Sequence, residues 1–97
     1  MMDRRKHFLD PNSGPKAQLA FKLRGLRQAA DLTYEQIGRA TNYHPSTFCL
    51  ATGGERVPSW DVTEAFIKVC EEATGQPQDR AEWKALWMAA ANGQAQS

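Results

Sequence analysis

Leu32-Thr-Tyr-Glu-Gln-Ile-Gly-Arg-Ala-Thr-Asn-Tyr-His-Pro-Ser-Thr-Phe-Cys-Leu-Ala-Thr-Gly-Gly54 is the stretch that decides the fold. It spells a short helix, a sharp turn and a second short helix. Thr33 is a good N-cap, and Gln36 three residues on completes a capping box. Asn42 accepts the left-handed conformation that ends a helix. Pro45 suits the first turn of the next helix, where its missing N–H costs nothing. Gly53-Gly54 supplies a stop. Two short helices crossing through a tight turn is the layout that sets a helix into a DNA major groove. Binding of double-stranded DNA is therefore the leading expectation.

Working outward, helical periodicity covers the rest of the chain. Pro15 to about Ala30 forms a first helix, with Leu19, Leu23, Leu26 and Ala30 on one stripe. The second helix is Tyr34 to Thr41, with Ile37 inward. Gly38 costs it helix propensity, which calls for a close approach by a crossing helix. The third runs from Pro45 to about Thr52, with Phe48 and Ala51 on one face. Ser59 caps a fourth, Asp61 suits its first turn, and Val62, Phe66, Val69 and Ala73 make its stripe. Gly75 and Pro77 end it near Thr74. Asp79 with Glu82 resembles another cap. The fifth helix runs to about Ala91, with Trp83, Leu86, Trp87 and Ala90 sharing a face. Residues 1–14 read as a flexible basic arm, 15–91 as the domain and 92–97 as a frayed polar tail. No strand pattern, repeat or low-complexity tract competes. The fold class is all-α, with five helices around one small core.

Composition narrows the function. At 97 residues, 41% hydrophobic and 24% charged, the chain is an ordinary single globular domain. No apolar run reaches membrane-span length, and the basic start lacks the apolar stretch of a secretory signal. The expected location is the cytoplasm. Cys49 and Cys70 form no Cys-x-x-Cys pair, and no histidines have metal-ligand spacing. Cys70, on an apolar helix face, reads as a reduced buried thiol. There is no Gly-rich phosphate loop, no nucleophile with a base and no working acid pair. No enzyme activity, cofactor or metal is expected.

Net charge is only +1, but it is polar along the chain. Residues 1–56 hold nine Lys/Arg against five acids; residues 57–97 hold three against six. A basic half can face phosphates while the acidic half faces away. Chance clustering on a solvated surface is the plainer alternative.

Leu32 to Pro58 resembles the Cro/C1-type (XRE) helix-turn-helix family. The resemblance is carried by Leu32-Thr33, Glu35, Ile37, Ser46-Thr47-Phe48, Gly54, Arg56 and Pro58. Val57-Pro58-Ser59-Trp60, Cys70, Trp83 and Trp87 look like the actinobacterial branch. Residues 18–91 are covered. The resemblance implies a five-helix repressor-like domain, a recognition helix beginning at Pro45, and a role as transcriptional regulator. His44, Ser46, Thr47 and Leu50 would then face base edges. Tyr34 would sit near a phosphate or the groove edge. Lys16, Arg24, Arg39, Arg56 and the arm Arg4-Arg5-Lys6 would meet phosphates or the minor groove. Dimerisation on a two-fold site is usual for such domains, and the Trp83, Trp87 face is the expected homodimer contact.

This sequence departs from that pattern at three places. Family members often carry Gln, Arg or Lys at base-reading positions, whereas Pro45 and Leu50 make no bidentate contact. Leu50 offers only a contact to a thymine methyl. Thr52 stands where many members place an acid against the first-helix arginine, here Arg27; a hydrogen bond is the available substitute. The apolar reading helix favours a second function, a protein–protein interaction module on the same fold.

Other residues have two readings each. Ser46 and Thr47 either touch DNA or satisfy free N–H groups of a helix start. His44 either reaches a phosphate or closes the turn. Trp60, Trp83 and Trp87 are either core or an exposed aromatic patch. A third reading takes the chain as one domain of a longer protein, which would place the decisive activity elsewhere.

Overall fold

The computed structural model describes residues 14–54 and 56–96, so the arm Arg4-Arg5-Lys6 lies outside the described residues. Five helices follow one another: α1 Pro15–Ala30, α2 Tyr34–Thr41, α3 Pro45–Ala51, α4 Trp60–Thr74 and α5 Arg80–Gln96.

Local chemistry sets most of these limits. Thr33 Oγ1 accepts the Gln36 N–H at 3.1 Å while Gln36 Oε1 accepts the Thr33 N–H at 2.8 Å, so α2 opens on a complete capping box. Asn42 closes it with φ 68°, and its N–H reaches the Gly38 carbonyl. Ser59 accepts the Val62 N–H at the start of α4, and Gly75, φ 73°, ends that helix. Asp79 Oδ1 accepts the Ala81 N–H at 2.9 Å ahead of α5.

Three limits or faces differ from the sequence expectation. The third helix ends at Ala51 with Thr52 as its C-cap, and the Thr52 hydroxyl donates back to the Phe48 carbonyl at 3.0 Å. The left-handed turn comes two residues later, at Gly54 with φ 88°. The backbone of α5 continues to Gln96, past the expected end at Ala91. The core line of α4 is Thr63, Phe66, Ile67 and Cys70, whereas Val62 and Val69 are half-buried and Ala73 is exposed. That helix packs on α1, α2 and α3 at once, so its buried face is rotated from the stripe of Val and Ala.

The core joins Leu19 and Leu23 of α1, Ile37 of α2, Phe48 of α3, Phe66, Ile67 and Cys70 of α4, and Trp83 and Ala90 of α5. Phe48 and Phe66 meet at 5.7 Å between ring centroids. Burial pushes the Cys70 thiol up to about 11, against the opposing pull of the Arg27 charge. Trp83 is only 3% exposed, with its indole N–H on Gln78 Oε1 and the Lys22 ammonium over its ring. Trp87 is half-buried and packs against Trp60. Of the aromatic face expected to meet a second copy, Trp83 is taken up by the core, while Trp87 stays half-buried.

Candidate nucleic-acid interface

The crossing of α2 and α3 depends on Gly38. A Cβ there would stand 2.8 Å from the Tyr43 carbonyl oxygen and 3.2 Å from Pro45 Cγ. The missing side chain lets the turn fold back onto α2. Tyr43, exposed, sets its ring edge against Phe48 at 5.8 Å and braces the same turn from outside.

A chain of contacts links Arg27, Tyr34 and Thr52. The Arg27 guanidinium sits 4.6 Å over the Tyr34 ring and donates to the Leu32 carbonyl at 2.7 Å. The Tyr34 hydroxyl lies 2.8 Å from Thr52 Oγ1. Thr52 spends its own proton on the Phe48 carbonyl, so Tyr34 is the donor. Tyr34, half-buried, therefore joins the start of α2 to the end of α3 through its hydroxyl. The sequence expectation of a hydrogen bond in place of an Arg27–acid pair pointed to the right residues but missed the ring between them.

On the outer side, α3 presents Ser46, Cys49 and Leu50, all exposed, with Thr47 half-buried. His44 is the N-cap of α3: its Nδ1 accepts the Ser46 N–H at 3.1 Å and lies 2.9 Å from Ser46 Oγ. Accepting there places the ring proton on Nε2, a donor for an outside oxygen. Ser46 is thereby partly occupied in closing the helix start.

Two concavities flank α3. One is lined by Arg39, His44, Glu35, Asn42, Tyr43 and Pro45. The other, of about 220 Å³, lies between α3 and the start of α4 and is lined by Thr47, Leu50, Arg56, Val57, Pro58 and Val62, among others. The candidate residues thus fall into two groups, Arg39 with His44 and Arg56 with Thr47 and Leu50. Both arginines are exposed. Lys16, half-buried, and Arg24, exposed, stand on α1 and line neither concavity.

The segment that follows Arg56 is tied to α5. The Trp87 indole N–H donates to the Pro58 carbonyl at 2.7 Å, and Lys84 rests 4.8 Å over the Trp60 ring. Neither tie was legible beforehand, since Trp87 and Pro58 are 29 residues apart.

With the helix pair, its cap and its crossing in place, the family comparison falls on the same residues: the helix-turn-helix domain matches residues 18–83. The chain belongs to the helix-turn-helix domain family. Neither the curated proteins nor the solved structures contain a match to it. The matched region takes in all of α2, α3 and α4 and stops at Trp83 in α5. No helix among the described residues is long and apolar enough to cross a membrane.

Proposed function

We propose that this helix-turn-helix domain binds double-stranded DNA and acts in the cytoplasm as a transcriptional regulator of the Cro/C1 type, in its actinobacterial form. The observation that carries the reading is the outward face of α3 with a cation on either flank: Arg39 and His44 line one concavity, Arg56 the other. An α3 laid in the major groove brings Arg39 and Arg56 to the phosphates of its two walls. In this reading Arg39, Arg56, Lys16 and Arg24 take phosphates, and His44, Ser46, Thr47 and Leu50 face the bases. Phosphate contacts set affinity and its salt dependence.

The test is retention on nonspecific duplex DNA across a salt series. Tight retention at low salt, falling steeply with added salt, is expected. Retention that is absent or flat with salt removes the reading. In that event the protein–protein module takes over, which the 62% exposure of Leu50 over an apolar groove favours.

A further inference from the structure

Resting on the DNA-binding reading, we infer that Leu50 reads the 5-methyl group of thymine, and that sequence choice by α3 runs on methyl contacts rather than bidentate hydrogen bonds. The helix is Pro-Ser-Thr-Phe-Cys-Leu-Ala and holds no Arg, Lys, Gln, Asn, Asp or Glu. The side chains that make paired hydrogen bonds to guanine, adenine or cytosine edges are therefore missing from it. Ser46 is turned to His44, and Phe48 is fully buried.

What α3 does offer is Leu50. It is 62% exposed, more than any other large apolar side chain among the described residues. It overhangs the groove whose walls continue with Thr47, Val57 and Pro58. Among the described residues no carboxylate lines this groove, and Arg56 stands at it. An apolar knob beside a cation matches a surface whose apolar points lie next to phosphates. In a major groove the only such point on a base edge is the thymine methyl. Cytosine methylated at C5 carries the same group at the same place, so the site accepts it where it rejects plain cytosine.

The experiment uses the full chain and a duplex selected from a random pool. Each thymine is replaced in turn by deoxyuridine, which removes the methyl alone. At one or two positions affinity falls about fourfold, the worth of one buried carbon. At those positions a cytosine duplex binds more weakly than its 5-methylcytosine counterpart. Leu50→Ala, at an exposed position, keeps the fold and the salt dependence and binds thymine and deoxyuridine duplexes alike. Equal binding of thymine and deoxyuridine duplexes by the wild type at every position overturns the inference. So does a Leu50→Ala variant that still distinguishes them. Both outcomes leave DNA binding intact, whereas no salt-dependent binding to any duplex overturns the DNA-binding reading along with the inference.

Discussion

The Tyr34 hydroxyl and Thr52 Oγ1, 2.8 Å apart, fasten the start of α2 to the end of α3. The bond spans 18 residues and closes the helix pair. It fixes the angle at which α3 is held. Tyr34→Phe removes it while leaving the ring under Arg27. A cost of about 1 kcal/mol is expected. For a domain of this size that lowers the melting temperature by roughly 4–8 °C, measurable by circular dichroism.

Gly38→Ala should be worse than helix propensity alone suggests. Alanine favours a helix by about 1 kcal/mol over glycine. Its Cβ, however, would meet the Tyr43 carbonyl at 2.8 Å, and a backbone atom does not swing aside. Forcing the turn outward costs about 1–3 kcal/mol. A denaturant melt more stable than wild type would contradict the crossing as described.

Arg56→Ala and Thr47→Ala separate the two kinds of contact. Loss of the Arg56 charge should weaken binding to all duplexes alike and reduce the log–log salt slope by about 1. Thr47→Ala should instead shift the sequences recovered from a random pool. Shift assays at moderate salt in which both variants match wild type would remove α3 from the reading role.

Stability in acid depends on Glu71. Its carboxylate takes both Arg80 Nη groups, at 2.7 and 2.8 Å, and the Gln78 N–H. The Arg80 bonds first, then the Gln78 amide, hold its carboxyl down to about 2 from 4.5. Because the folded value is lowered, the stabilisation is complete above about 4.5 and is lost as pH falls toward 2. Glu71→Gln should melt several degrees lower than wild type at neutral pH, and the gap should close between those two values. A gap independent of pH would show that the pairing contributes nothing.

The two thiols should behave differently toward a disulfide reagent. Cys49 is exposed on α3, while Cys70 is buried with its thiol pushed up to about 11. Rapid uptake of one equivalent, and of the second only on unfolding, is the expected course.

Helix limits were legible because caps and stops are local. Thr33 with Gln36, Asn42, Ser59 and Gly75 each act within four residues. Gly38 was legible as an anomaly whose cause, the Tyr43 carbonyl and Pro45, only the folded turn supplies. Contacts between distant residues were not legible. Periodicity put Val62, Val69 and Ala73 in the core of α4, but three packing neighbours turn it toward Thr63, Ile67 and Cys70. Spacing placed Trp83 with Trp87 but gave no sign that one would be core and the other a tether.

That tether has a mechanical meaning. Because the Trp87 indole holds the Pro58 carbonyl, the arginine two residues before that proline is carried on a strap whose buckle sits in the terminal helix. A displacement of α5 is therefore passed through that bond to the loop that carries Arg56, the residue proposed to take a phosphate.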